Sequence, residues 1–252
     1  VSKPANPTTP GTLYVVATPL GNLSDMTARA VDTLRSVDAI AAEDTRRTRK
    51  LLSHFEIRTP LVSYHDHNEA SAARRVVGRL LRGDDIALVS DAGTPLIADP
   101  GYRLVAGAVE AGVPIVPVPG PSAVAAALSV AGLPPQPFLF AGYLPRRRAA
   151  RKRRLEQLAD LKATLVFYES PHRMAAALRD MLEVLGDRPA VIGRELTKIH
   201  EEIIRGGLAE LAGGEEARSW RGELVVLVAG ADRAGAQSDE SRDLSEVLWR
   251  RS

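Results

Sequence analysis

The sequence predicts an α/β protein of two domains, with a mainly parallel sheet in the first half and a mixed sheet in the second. Three observations carry that expectation. Short β-branched and apolar runs alternate with helix-length amphipathic segments from residue 12 to 131, the pattern of a parallel sheet covered on both faces. The rhythm breaks at Gly132-Leu-Pro-Pro-Gln-Pro137, a stretch of turn-forming residues suited to a domain boundary. Beyond it strands outnumber helices and the connections shorten, as in an α+β unit.

In the first half, strands are expected at 12–17, 39–42, 61–64, 86–89 and 115–118, where β-branched and apolar residues cluster. Helices are expected at 27–37, 45–55, 69–81, 102–110 and 122–131. Within 69–81, Val76, Val77, Leu80 and Leu81 carry the i, i+3/i+4 spacing of one buried face. The second half reads as a strand at 138–141, a basic helix to about 159, a strand at 164–168 and a helix at 172–185. Strands at 190–193, 202–204 and 223–228 complete it. The implied organisation is a disordered Pro- and Thr-rich lead (1–10), an N-terminal domain (11–132), a C-terminal domain (138–230) and a polar tail (231–252) with a short helix at 244–249.

With 252 residues, 45% apolar and 25% charged, the chain has the composition of a soluble globular protein. Cysteine is absent, which excludes disulfides, thiolate nucleophiles and Cys-ligated zinc. No run of about 18 apolar residues exists, and residues 1–10 lack an apolar signal core, so a cytoplasmic location without a membrane partner is expected. Net charge is only +2, so an anionic partner must be met by local clustering. Arg146, Arg147, Arg148, Arg151, Lys152, Arg153 and Arg154 form such a cluster. A solvated helix face is the plain alternative, but like charges at i, i+3 and i+4 repel, and a polyanion such as RNA relieves that repulsion.

The most informative stretch is Ile86-Ala-Leu-Val-Ser-Asp-Ala-Gly-Thr-Pro-Leu-Ile-Ala-Asp-Pro-Gly101. A buried strand ends in small residues, and open α/β sheets bind ligands at the carboxyl ends of their strands. Ala92, Gly93 and Thr94 let a ligand approach the backbone, while Pro95 and Pro100 stiffen the loop. Two further turns, Ala17-Thr-Pro-Leu-Gly-Asn22 and Val118-Pro-Gly-Pro-Ser-Ala123, also follow strands. Each alone could be an ordinary connection; together they point to one crevice. Ser122, at a helix start, can offer its amide and hydroxyl to a ligand. Neither G-x-G-x-x-G nor G-x-x-x-x-G-K-[ST] occurs, which argues against a Rossmann dinucleotide site and a P-loop. Asp91 as a phosphatase nucleophile fails because D-A-G-T lacks the second Asp of D-x-D. In the second half, Tyr168-Glu-Ser-Pro-His-Arg173 and Gly193-Arg-Glu-Leu-Thr-Lys198 end strands. Arg194 and Glu195 there are either a salt bridge at the domain junction or part of the far wall of the crevice.

Read in order, ATPLGN, EDTRRT, SDAGTPLIADPG, VPGPSA, FYESPHR and GRELTK resemble the tetrapyrrole methylase superfamily of S-adenosylmethionine-dependent enzymes, over residues 11 to about 228. DAGTP stands where corrin and sirohaem methylases carry GDP, which favours the branch acting on ribosomal RNA. The resemblance implies two α/β domains with the methyl donor in the cleft between them, in a homodimer. It implies donor contacts from Pro19, from Ala92, Gly93, Thr94 and Ile97, from Ser122 and Ala123, and from Tyr168 and Leu196. The reaction it implies is 2′-O-methylation of a cytidine ribose in the decoding region of 16S rRNA, within the 30S subunit, with no metal. Other branches acting on a tetrapyrrole or protein, or a non-catalytic RNA-binding assembly factor, are the alternatives.

Methyl transfer from a positively charged sulfur needs alignment, and a ribose hydroxyl also benefits from a general base. Asp25, Glu43, Asp44 and Glu169 are candidates, unranked. Asp25 could instead cap the following helix, and Glu43–Arg46 could be a salt-bridged turn. His65 and His67 share a strand face, but no further ligand spacing supports a metal.

Overall fold

The computed structural model describes residues 9–66, 68–214 and 220–231. Most of the expected disordered lead (residues 1–8), nearly all of the expected tail (232–252) with its helix, and His67 lie outside the described residues. The chain divides into two compact units, Val1–Ser122 and Ala123–Ser252.

The first unit is built on strands β1 (Leu13–Val16), β2 (Ala39–Ala42), β3 (Leu61–Ser63), β4 (Ile86–Val89) and β5 (Ile115–Val118). They form one sheet in the order β3-β2-β4-β1-β5, parallel at every pairing. Helices α1 (Ala28–Ser36), α2 (Thr45–His54), α3 (Glu69–Leu81) and α4 (Tyr102–Glu110) make the crossovers. Side chains alternate across the sheet, so successive residues of one strand enter different cores. Ile86 and Leu88 pack with Ala72, Val76 and Leu80 of α3 and Leu104 of α4. Ala87 and Val89 pack with Ala30 and Leu34 of α1 and Leu52 of α2. Both faces are therefore covered, which explains why β2 and β4 read as unbroken apolar runs.

The second unit begins with α5 (Ala123–Ala131), followed by β6 (Phe138–Tyr143), α6 (Arg148–Glu156), β7 (Thr164–Glu169), α7 (Pro171–Leu185) and β8 (Pro189–Arg194). It closes with β9 (Glu202–Gly207), α8 (Leu208–Gly213) and β10 (Leu224–Val228). The sheet order is β6-β7-β10-β8-β9; β6 and β7 run parallel and the other pairs antiparallel, giving a mixed sheet. Leu165, Phe167, Ile192 and Val226 face α6, α7 and α8. Val166, Val191, Val225 and Leu227 face α5, which buries Val124, Ala127 and Ala131 against them. That packing places the boundary of the compact units before α5, whereas the Pro-rich stretch follows it. The reason is tertiary: α5 supplies the apolar cover of the second sheet, and Arg205 of β9 donates to the carbonyls of Val130 and Ala131 at its C-terminus.

Candidate functional site

At the carboxyl ends of β1, β4 and β5, three loops of the first unit are tied to one another. Thr18 and Gly93 exchange both backbone hydrogen bonds, at 2.8 and 3.0 Å. The Thr18 hydroxyl donates to the Ser90 carbonyl at 3.2 Å, and the Thr94 hydroxyl donates to the Pro121 carbonyl at 3.0 Å. The three turns singled out in the sequence thus form one hydrogen-bonded cluster containing Pro19, Ala92, Gly93 and Thr94, with Ser122 next in sequence to Pro121.

Gly93 has φ +85°, and a Cβ there would lie 3.1 Å from Leu20 Cδ2. The conformation favours glycine, and a Cβ would also oblige Leu20 to give by a few tenths of an ångström. Leu96 (φ 72°) and Ala98 (φ 68°) hold left-handed conformations in the same loop. For non-glycine residues such backbone is costly, and it concentrates at functional loops. Glu69 anchors the far end: its Oε1 accepts from the amides of Gly101 (3.2 Å) and Arg103 (3.3 Å). It thereby satisfies amides that α4, capped by a glycine, would otherwise leave open. Ile97, at the tip, is 37% exposed and available for an apolar contact.

Carboxylates gather beside these loops. Burial pushes Glu43 above the usual carboxylate range, reinforced by Asp91 and Asp66, and its Oε2 is buried without a hydrogen-bond partner among the described residues. Asp99 rises to about 7, from burial first and the Glu43 charge second. Asp44 behaves oppositely. It caps α2, accepting from the Arg46 amide at 2.8 Å, and the Arg46 side chain holds it near 2. The turn from Glu43 to Arg46 is salt-bridged, as expected, and the pair that makes it so is Asp44–Arg46, at 3.1 Å. Asp25 closes a 3-10 turn (Leu23–Asp25) rather than capping α1; Thr27 takes the cap, accepting from Ala30 at 3.1 Å. Asp25 Oδ2 is buried without a partner among the described residues.

Asp99 was missed by sequence reasoning. Its signal was a second carboxylate, after Asp91, in a loop of mostly small residues and prolines, and the other charges that act on it, Glu43 and Asp66, come from two other segments.

In the second unit, Ala123, Tyr168 and Leu196 belong to one apolar cluster. Tyr168 makes edge contacts with Phe140 and Tyr143 at 4.8 and 5.7 Å between ring centroids. Leu196 sits between Glu195 (φ 48°) and Thr197 (φ 67°), a second strained loop. Arg194 pairs with Glu202 across β8–β9 at 3.1 Å, and Glu195 with Lys198 at 2.9 Å. Both pairs lie inside this unit. Glu169 is buried, accepting from the Ser170 amide at 2.8 Å and from Arg173 at 3.2 Å; burial raises its proton affinity.

The basic run divides. Arg151 is 4% exposed, its guanidinium 2.6 Å from Asp180 of α7. Arg148 bridges Asp180 and Glu183, each at 3.0 Å, and Lys152 meets Glu183 at 2.6 Å. Burial alone would raise Asp180, but hydrogen bonds from Arg148 and Arg151 hold it below its ordinary value. Part of the repulsion that sequence reasoning assigned to a polyanion is thus relieved by α7. Arg146, Arg147, Arg153 and Arg154 make no ion pair among the described residues. No group of three metal-ligating side chains and no helix long and apolar enough to cross a membrane occurs among the described residues.

A parallel α/β unit with ligand loops at its strand ends, followed by a mixed-sheet unit, is the architecture of the methylase class that the sequence matches. The family described as Tetrapyrrole (Corrin/Porphyrin) Methylases matches residues 12–212. Relatives named "Ribosomal RNA small subunit methyltransferase I" are 50% identical in Micromonospora olivasterospora (95% of this chain, 78% of the relative) and 53% identical in Vibrio cholerae serotype O1 (89% and 79%). The chain belongs to the tetrapyrrole methylase family, in the branch of those ribosomal RNA small subunit methyltransferase I proteins. Among solved structures, a uroporphyrin-III-C-methyltransferase from Thermus thermophilus is 22% identical with TM-score 0.61, covering 87% of this chain and 94% of that one. A diphthine synthase is 15% identical with TM-score 0.65, covering 87% and 90%. These two share the fold.

Proposed function

We propose that this chain is an S-adenosylmethionine-dependent methyltransferase that 2′-O-methylates a cytidine ribose in the decoding region of 16S rRNA. It acts on the 30S subunit in the cytoplasm, as a homodimer. The observation that carries the reading is the hydrogen-bonded cluster of three small-residue loops, in a chain half identical to proteins of that name. Gly93, buried and bonded to Thr18 on both sides of its backbone, lets these loops close together at the strand ends where a parallel α/β sheet takes its ligand.

Ala92 and Thr94 would offer the donor backbone polar groups without bulk and Gly93 would hold their loop against the first one, while Pro19 and Ile97 would supply apolar contact and Ser122 a hydroxyl. The family resemblance adds Ala123, Tyr168 and Leu196. When bound, the donor supplies a methyl group already activated by a positive sulfur. What remains for the protein is alignment, which contributes up to about 7–11 kcal/mol in well-oriented systems, and removal of one proton. Of the four candidate bases, Glu43 is the one we assign: its free buried oxygen and raised proton affinity suit a group that takes the 2′-hydroxyl proton. Asp44, held near 2 by Arg46, is too weak a base for that task.

Methylation of intact 30S subunits with tritiated donor, followed by nucleotide mapping, tests the reading. One cytidine should gain label, and the chain should resist alkaline cleavage there because the attacking 2′-oxygen is capped. Label on a base with alkaline lability intact would exclude the 2′-O assignment, and donor-independent RNA binding alone would indicate an assembly factor.

A further inference from the structure

We infer that helix α2, with the small cavity at its side, is the surface that holds the phosphodiester backbone of the RNA next to the reacting nucleotide. The inference rests on the rRNA methyltransferase reading and adds a binding element to it.

The cavity measures about 230 Å³ and lies wholly within the first unit. Its walls are Thr18, Pro19, Gly21 and Leu23 from the segment after β1, Asp91 of the central loop, and Arg47, Lys50 and Leu51 of α2. Pockets that enclose a whole small molecule run from about 300 to 1,000 Å³. This one suits a fragment of a longer chain, and its cations suit an anionic fragment. Arg47 and Lys50 are one helical turn apart, so both reach the same side.

The helix around the cavity is charged against its own stability. Arg46, Arg47, Arg49 and Lys50 are all exposed, and the buried residues of α2, Thr48 and Leu52, face the other way. Arg46 and Arg47 stand in the first turn, where the helix dipole favours anions and disfavours cations. No acidic residue occupies that turn. Like charges at i, i+3 and i+4 (Arg46–Arg49, Arg46–Lys50, Arg47–Lys50) add further repulsion. Asp44 and Asp91 offset two of the four charges, at 3.1 and 3.2 Å. Arg49 and Lys50 make no ion pair among the described residues. A phosphate supplies the missing negative charge, and Arg47 and Lys50 place it beside the loop that carries Gly93.

The test uses the double variant Arg49→Gln/Lys50→Gln, which leaves the Arg47–Asp91 pair and the donor loops untouched. Each lost phosphate contact should reduce the slope of log affinity for 16S rRNA against log salt by about 0.7–0.9, so a change of about 1.5 is expected. KM for 30S subunits should rise several-fold with the labelled cytidine unchanged. Donor affinity should match wild type, and the melting temperature should stay level or rise slightly as the like-charge repulsion is relieved. A wild-type salt slope in a folded double variant would overturn the inference. So would a tenfold loss of donor affinity with an unchanged slope, because the cavity would then hold the donor's carboxylate. Failure of the wild-type protein to label 30S subunits would instead overturn the function on which the inference rests.

Discussion

Two basic helices, α2 and α6, look alike as sequence and differ in what surrounds them. In α6 Arg148, Arg151 and Lys152 meet carboxylates of α7, and Arg153 and Arg154 stand in the last turn, where the dipole favours them. In α2 the cations crowd the unfavourable end, stay exposed, and border a cavity beside the candidate donor loops. Charge density along a chain therefore does not distinguish a structural clamp from a ligand surface. The partners do, and those of α6 lie about thirty residues away.

The largest expected effect concerns the clamp. Asp180→Ala would leave the buried Arg151 guanidinium without its carboxylate and should cost about 3–5 kcal/mol of stability, read from a denaturant midpoint. Glu183→Ala, at a half-exposed carboxylate, should shift the midpoint far less. Equal small losses would reduce α6–α7 to a surface pairing and erase the contrast.

A second prediction separates the outward cations of α6 from its inner ones. We propose that Arg146, Arg147, Arg153 and Arg154 retain the RNA contact expected of the run. Arg147→Gln/Arg153→Gln/Arg154→Gln should flatten the salt slope of RNA binding by about two units without changing melting temperature. Arg151→Gln should do the reverse. A triple variant with wild-type salt dependence would make α6 a structural helix alone and leave α2 as the RNA surface.

The smallest effect tests the acidic side of the donor loops. Asp99 binds its proton up to about pH 7 when folded, against an ordinary value of 3.8. An acid whose proton affinity rises on folding favours the folded state most below its unfolded value and loses that contribution as pH rises to its folded value. Asp99→Asn should therefore match wild type near pH 4 and become progressively more stable than it as pH rises to 7, with no further change above. Parallel melting curves across that range would show that Asp99 is solvated.

Most of the architecture was legible because it is local. Ala39–Ala42, Ile86–Val89 and Ile115–Val118 have the expected bounds, as do Glu69–Leu81 and Tyr102–Glu110. Each combines a clear apolar period with turn residues at its ends. The six-residue helix Leu208–Gly213 went unread, being too short to show a period. The three loops were recognised from Gly, Pro and Ser after strands, but that Thr18 bonds Gly93, and Thr94 bonds Pro121, is set by the order β4-β1-β5. Ion pairs were the least legible. Arg151–Asp180 and Arg194–Glu202 depend on which elements become neighbours, whereas Asp44–Arg46 falls within the short turn 43–46 that sequence proximity does suggest.

The central claim is that the Gly93 loop and its two hydrogen-bonded neighbours hold S-adenosylmethionine, and calorimetric titration of the donor tests it most directly. Wild-type protein should bind the donor. Gly93→Val, which puts a branched side chain against Leu20 at a positive φ, should lose at least about tenfold in affinity, ~1.4 kcal/mol. Thr94→Val, which removes only the hydroxyl bonded to Pro121, separates loop position from gross folding and should show a smaller loss with an intact melting transition. A folded Gly93→Val protein with wild-type donor affinity, or a folded wild-type protein that does not bind the donor, would contradict the account.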